Sequence, residues 1–362
     1  MYLIPCTLHF QSLYFVLGTL YFVLYDINFP MKAIIPVAGA GTKLRPHTYT
    51  QPKALIPLAG KTILSIIVDQ LREAGIDEFI FIIGYLGIKI QDYVKEKYPD
   101  LTAHFVAQNE RQGLGHAILL SKEIVGEDEI FIVLGDTICE YNVSDMIQLE
   151  YSSLAVKRVD DPRNFGVAEL DDEGFIERVV EKPQIPKSNL ALTGVYRIKE
   201  TNFLFSCLES NIRNQLKSYG EYNLTDALEC MIKQGARIKP FKVQNWFDCG
   251  HKESLLASNA ILMKKFGGKI SNEQTFENTI IVPPVSIAPG CSISNSIIGP
   301  NVTIGESTTI KCSIIKDSII GAYADLFDIV LTQSLIGSDT EVKGETRSLN
   351  IGDNTEIDLG ES

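Results

Sequence analysis

The chain has 362 residues, 45% hydrophobic and 22% charged, enough for about two or three domains with cores of their own. A formal net charge of −12 argues against general binding to nucleic acid or an anionic membrane, so any phosphate handled here meets a few locally placed cations and backbone amides. The seven cysteines are scattered and form no CxxC pair, as expected of reduced thiols in a cytoplasmic protein without a zinc site.

Leu3 to Leu24 is nearly uncharged, aromatic-rich and long enough to span a bilayer. It has no Lys or Arg in front and no small-residue cleavage site, and Pro30 and a second methionine, Met31, follow it. Translation is expected to start at Met31, with residues 1–30 a non-native or disordered extension. A membrane anchor is the alternative reading, and no membrane association is expected.

From Met31 short apolar runs alternate with amphipathic stretches: Ala33 to Val37, Ile63 to Ala74, Phe79 to Ile83, Ile88 to Lys97. That is the βαβ pattern of a parallel sheet covered by helices. Strands are predicted again at Ala103 to Val106, Ile130 to Leu134 and Ser153 to Val159, with a helix over Gly115 to Glu123. Residues 31–262 thus read as one Rossmann-like α/β domain with a mixed, mostly parallel sheet.

After Phe266 the helical period disappears. Isoleucines recur in about six-residue steps, at Ile287, Ile293, Ile298, Ile304, Ile310, Ile315 and Ile320, and glycine follows Ile298, Ile304, Ile320, Ile336 and Ile351. The imprint is that of a left-handed parallel β-helix over residues 278–358, each step giving one flat side of a triangular coil. The stretch Gly321 to Gln333 is read as a break in the step. A coil of this kind leaves an unpaired end and flat faces that neighbouring subunits commonly cover, so a homo-oligomer is expected.

The first strand runs directly into Ala38-Gly39-Ala40-Gly41-Thr42-Lys43-Leu44-Arg45. Two glycines in a strand-to-loop turn let backbone amides approach a triphosphate, with Lys43 and Arg45 at hand to neutralise it. Any tight βα turn also favours glycine, but the spacing fits neither the dinucleotide fingerprint nor the Walker loop. Lys53 follows between Pro52 and Pro57. Further on, five apolar residues, Ile130 to Leu134, deliver Asp136 to the C-terminal end of a strand, where open α/β sheets bind ligands. Asp136 is accordingly the strongest metal candidate.

The segment GAGTKLRPHTYTQPKALIPLAGKTIL resembles the nucleotidyltransferase family that makes nucleotide sugars, typified by glucose-1-phosphate thymidylyltransferases, whose signature is GxGTRLxPxT followed by KxLxPV. The resemblance extends across most of 31–262, and the repeat domain is similar to the β-helical tail of the longer members. It implies transfer of a nucleotidyl group from dTTP or UTP to a sugar 1-phosphate, with glucose 1-phosphate the first choice, on Mg²⁺. It places Ala38, Gly39, Gly41 and Thr42 around the nucleotide and Lys53 on the phosphates. Where the family has an arginine this chain has Lys43, which keeps the charge and loses the bidentate grip; Arg45 is its possible substitute.

The resemblance also assigns Gln108 and Gly113 to base reading, the glutamine amide offering donor and acceptor together, and pairs Asp248 with Asp136 as metal ligands. Gly166, Glu181, Lys182, Thr193, Gly194 and Tyr196 fall on its sugar-site elements. Tyr219 stands where many short-form members carry an arginine, leaving one phosphate cation unaccounted for. Two carboxylates leave most of a Mg²⁺ shell to water and phosphate oxygens.

Three other readings compete with this one. Mannose-1-phosphate guanylyl transfer differs only in base and sugar. A bifunctional uridylyltransferase with a β-helical acetyltransferase would need a general base, and no histidine follows His251. A catalytically weak regulatory subunit would show damaged site positions, and only Lys43 departs from the pattern.

Overall fold

A computed structural model describes residues 31–270 and 276–344. The expectations for residues 1–30, and for the part of the β-helix beyond residue 344, lie outside these.

The first strand, β1 (Met31–Pro36), pairs in parallel with β2 (Glu78–Ile83) on one side and β4 (Glu129–Val133) on the other, and β2 pairs with β3 (Thr102–Ala107). Helices α1 (Ile63–Glu73) and α2 (Gly87–Lys97) make the crossovers. β1, β2 and β4 are apolar at most positions because both sheet faces are covered there, whereas β3, at the sheet edge, has no fully buried residue. Ala33, Ile35, Phe79, Phe81 and Phe131 face one core cluster, while Ile34, Ile80, Ile82, Ile130 and Ile132 face the other, the two-residue alternation of a pleated strand. The helix predicted over Gly115 to Glu123 is two short ones, α3 (Leu114–Leu119) and α4 (Lys122–Val125). Between them Ser121 Oγ donates to Ile118 O at 2.6 Å, a local bond that competes with helical continuation.

The central nine-stranded sheet continues with β6 (Ser152–Arg158), β7 (Gly166–Leu170), β8 (Ile176–Glu181), β9 (Leu190–Ile198) and β10 (Ile238–Lys242). Strand β9 holds β6 along one edge. On its other edge Val195–Ile198 pair with β4, whereas Leu190 and Ala191 pair with β7. The sheet therefore forks beside Leu192–Gly194, and the fork opens a pocket. Helices α5 (Thr201–Arg213) and α6 (Leu224–Lys233) cover this end. A separate two-stranded ladder joins β5 (Thr137–Glu140) to β11 (Asn245–Asp248), and α7 (Lys252–Phe266) closes the domain.

The C-terminal part is a left-handed β-helix built as three four-stranded parallel sheets. Ile293, Ile298, Ile304, Ile310, Ile315, Ile320 and Leu326 point inward, each 2% exposed or less. The break expected over Gly321 to Gln333 is absent: Asp325–Phe327 and Val330–Thr332 stack in register on the preceding coil. Ile310 faces Leu326 and Ile315 faces Leu331, a step of sixteen residues per coil where three steps of six would give eighteen. The shorter coil shifts the apolar residues out of a strict six-residue count without interrupting the stack.

One sheet of the coil does not await a neighbouring subunit. Its strands Val285–Ile287, Val302–Ile304 and Ile319–Ile320 are buried, and Ile319 belongs to the same core cluster as Leu255, Leu262 and Met263 of α7. Asn259 fastens the joint, its Oδ1 accepting from Ala59 N and Thr303 Oγ1, both at 2.8 Å, and its Nδ2 donating to Asn301 O at 3.1 Å.

Candidate active site

A cleft of about 580 Å³ opens at the C-terminal ends of β1 and β4, where parallel sheets leave backbone groups free for ligands. A second hollow of about 310 Å³ lies in the sheet fork, and Lys43, Leu114, Leu134, Asp136 and Asp248 line both. They are two halves of one site.

The first half gathers Ala38, Gly39, Gly41, Thr42, Lys43, Lys53, Gln108, Gly113, Asp136 and Asp248. Its walls are close backbone approaches. Gly41 has φ +59° and carries its turn against Thr48, whose Oγ1 donates to Gly41 O at 2.8 Å. Gly113 has φ +106°, and a Cβ there would lie 2.6 Å from Tyr222 O. That carbonyl cannot yield readily, because it already accepts from Gly115 N at 2.7 Å. Gln108 is 8% exposed, and its Nε2 is engaged with Gly113 O at 3.1 Å and His116 Nδ1 at 3.2 Å. Burial lowers the His116 imidazole, so its Nδ1 serves as a neutral acceptor. The glutamine carbonyl has no hydrogen-bond partner among the described residues.

The second half brings together Gly166, Glu181, Lys182, Thr193, Gly194 and Tyr196. Here side chains hold one another. Thr225 Oγ1 donates to Glu181 Oε2 at 2.6 Å, and Lys182 Nζ lies 3.5 Å from Glu181 Oε1. Lys182 has φ +42°, an uncommon conformation for a side chain of this size and the kind of strain that clusters at functional positions. Tyr219 donates its hydroxyl to Lys182 O at 2.5 Å, and the Lys182 ammonium lies 5.8 Å from its ring centre. The tyrosine that replaces a family arginine therefore braces a cation that remains. Burial, with Glu181 next in effect, raises the Tyr196 phenol well above its ordinary range, so it stays protonated.

Lys53 and Asp136 stand where the halves meet, Nζ to Oδ2 at 2.8 Å. Asp248 lies across the β5–β11 ladder, registered opposite Thr137, and the Cys249 amide donates to Asp136 O at 3.2 Å. Asp248 Oδ1 accepts from Gly250 N at 2.8 Å. Burial pushes the Cys249 thiol up to about 12 against the pull of Lys53, which leaves it inert between the two carboxylates.

Arg45 does not line the cleft. Its guanidinium lies 5.0 Å from the Tyr49 ring centre and faces a different cavity, because the backbone turns to an extended conformation at Arg45 after a single 3₁₀ turn, Thr42–Leu44. Lys43 lines the cleft and has its Nζ 3.3 Å from His251 Nε2. Sequence reasoning missed Arg111 in the first half, and Leu192, Thr225 and Trp246 in the second. Arg111 sits within the polar loop already singled out, and Thr225 within the segment whose missing arginine drew attention first.

A Rossmann-like sheet with a Gly-rich cleft at its switch point, running into a lysine–carboxylate pocket, defines a class of nucleotide-handling transferases. The family model for nucleotidyl transferases matches residues 32–265, and the chain belongs to that family. It is 37% identical over 261 residues to the bifunctional protein GlmU of Methanocaldococcus jannaschii, a match covering 72% of this chain and 61% of that protein, less than two thirds of its length. It is 29% identical over 342 residues to a glucose-1-phosphate thymidylyltransferase of Streptomyces antibioticus, covering 89% of this chain and 93% of the relative. Among solved structures, a UDP-glucose pyrophosphorylase in complex with UDP-glucose superposes with a TM-score of 0.57 at 26% identity, over 65% of this chain and 99% of that one. Among the described residues no helix is long and apolar enough to cross a membrane.

Proposed function

We propose that this chain is a cytoplasmic sugar-1-phosphate nucleotidyltransferase that joins dTTP or UTP to a sugar 1-phosphate, glucose 1-phosphate first, and releases pyrophosphate. The observation that carries this reading is the Lys53–Asp136 pair at the junction of a glycine-walled half and a lysine–carboxylate half of one continuous cleft.

The triphosphate lies along the Gly39–Lys43 turn, met by backbone amides and by Lys43 and Lys53. Lys182 draws the sugar phosphate toward the junction, with Glu181 meeting sugar hydroxyls and Thr193 contributing to the pocket wall. A sugar-phosphate oxygen then attacks the α-phosphorus in line and the bond to pyrophosphate breaks. Positioning and electrostatics supply the rate, as is general for phosphoryl chemistry without a covalent intermediate. The donor set suits Mg²⁺: Asp136 and Asp248 are oxygen ligands on adjoining backbone, and Asp248 Oδ2 has no hydrogen-bond partner among the described residues. The ion would offset the charge accumulating on the phosphates.

The Gln108 carbonyl can accept from a base N–H, the ring N–H of uracil, thymine and guanine among them. Guanylyl transfer onto mannose 1-phosphate is the second reading. A catalytically weak regulatory role is disfavoured by the intact cluster of Lys53, Asp136, Lys182 and Asp248.

A homo-oligomer is part of the proposal. Ile280, Ile297, Ile314 and Val330 stack in register along the outside of the β-helix and are 60%, 37%, 45% and 74% exposed, an apolar ladder that a second copy would cover.

Pyrophosphate release from four triphosphates against four sugar 1-phosphates tests the reading. Turnover with UTP or dTTP and a sugar 1-phosphate, and none with ATP or CTP, is expected. No pyrophosphate from any pairing removes the proposal.

A further inference from the structure

Helix α6 has Asn223 as its N-cap, and its first turn carries Thr225 and Asp226. The two neighbours have different tasks. Thr225 holds Glu181 directly, its Oγ1 donating to Oε2 at 2.6 Å. Asp226 lines neither half of the cleft, and its Oδ1 accepts from Ser218 Oγ at 2.9 Å.

Ser218 opens a turn over residues 218–221, closed by Ser218 N to Glu221 O at 3.1 Å and Glu221 N to Ser218 O at 3.2 Å. Its central residues, Tyr219 and Gly220, have φ +55° and +81°. Glycine adopts that backbone freely, whereas a tyrosine in it is strained, so the turn has to be held from outside. Asn223 supplies part of the hold, its Nδ2 donating to Ser218 O at 2.7 Å and to Glu221 O at 3.3 Å. Asp226 supplies the rest through the Ser218 hydroxyl. What the turn delivers is Tyr219, whose hydroxyl donates to Lys182 O at 2.5 Å.

A carboxylate in the first turn of a helix is ordinary where water reaches it. In Asp226, however, Oδ2 is buried and has no hydrogen-bond partner among the described residues, which costs stability. Burial raises the Asp226 carboxyl above its ordinary value; the Ser218 hydrogen bond opposes this and nearby Glu181 adds to it. Capping α6 alone does not account for such a placement, whereas holding the turn does. We propose that Asp226 is a positioning residue for the half that takes the sugar: through Ser218 it carries Tyr219 to the Lys182 backbone and so fixes where the Lys182 ammonium stands. Adjacent residues of one helix turn then set Glu181, the last residue of β8, and Lys182 just past it. The assignment rests on the functional reading above, which puts the sugar phosphate at Lys182.

The test is steady-state kinetics on Ser218→Ala, Ser218→Thr and Asp226→Ala, and on Ser218→Ala in a Tyr219→Phe background. Ser218 is partly exposed, so its alanine variant is expected to fold. Ser218→Ala should raise the KM for the sugar 1-phosphate by about five- to tenfold, the scale of one net hydrogen bond. Its kcat and its KM for the triphosphate should stay within about twofold of wild type. Ser218→Thr keeps the hydroxyl and should stay within about twofold in all three constants, while Asp226→Ala should raise the sugar-phosphate KM at least as much as Ser218→Ala. Because the path runs through Tyr219, Ser218→Ala should add less than about twofold to Tyr219→Phe. An unmoved sugar-phosphate KM in Ser218→Ala, an equal rise in both Michaelis constants, no rescue by threonine, or a full further effect on top of Tyr219→Phe each overturns the assignment alone. Wild type without turnover of any sugar 1-phosphate removes the functional reading and the assignment together.

Discussion

The two halves of the cleft are made of different materials. The half proposed for the nucleotide is shaped by backbone: Gly41 and Gly113 hold left-handed or otherwise unusual conformations, and the close approach of Gly113 to Tyr222 O leaves no room for a methyl group. The half proposed for the sugar is shaped by side chains that brace one another, Thr225 on Glu181 and Tyr219 on Lys182. Backbone surfaces are all-or-none because a Cβ either fits or forces the chain to move. Side-chain surfaces yield in steps, one hydrogen bond at a time.

The largest effect is expected at the junction, where both halves fail together. Asp136→Asn should lower kcat by about 10³ or more while the thermal midpoint is kept, because an amide contributes no charge at the reacting phosphates. Activity near wild type would remove Asp136 from the site. Next comes Gly113→Ala, which should raise the KM for the triphosphate by about ten- to a hundredfold, the range that backbone strain of about 1–3 kcal/mol allows. An unchanged KM would mean that this loop does not touch the nucleotide. Thr225→Val deletes one hydrogen bond to Glu181 and should cost about three- to tenfold in the KM for the sugar phosphate; a hundredfold loss would show that the pocket is not graded. In the signature loop Lys43→Ala should reduce kcat by about 10²-fold, whereas the smallest effect is expected of Arg45→Ala, which faces the other cavity and should stay within about threefold. The reverse order would return Arg45 to the cleft.

Much of this was legible in the sequence. The strands of the α/β domain announced themselves because both sheet faces are covered and the runs are uniformly apolar, and Gly39 to Lys53 together with Asp136 identified one end of the sheet. The fork at Leu192–Gly194 did not announce itself. Strand β9 is buried throughout, so its pattern carries no sign that one edge changes partner halfway along. The partners of Gln108 were equally invisible, since they depend on where a side-chain amide points. In the β-helix the isoleucine step was plain, yet Gly321 to Gln333 read as a break. The corners gave a steadier signal: Asn295, Asn301, Ser307, Cys312, Asp317, Tyr323, Asp328, Gln333 and Asp339 all have positive φ at intervals of five or six residues. Polar residues that tolerate left-handed backbone mark the turns even where the inward residue changes from Ile to Leu.

The difference between the halves is tested most directly by measuring both Michaelis constants in two single variants, Gly113→Ala and Lys182→Ala. Gly113→Ala should raise the KM for the triphosphate by at least about tenfold and leave that for the sugar 1-phosphate within about twofold, and Lys182→Ala should do the opposite. If either variant raises both constants equally, or if Lys182→Ala disturbs only the triphosphate, the cleft is not divided into a nucleotide half and a sugar half.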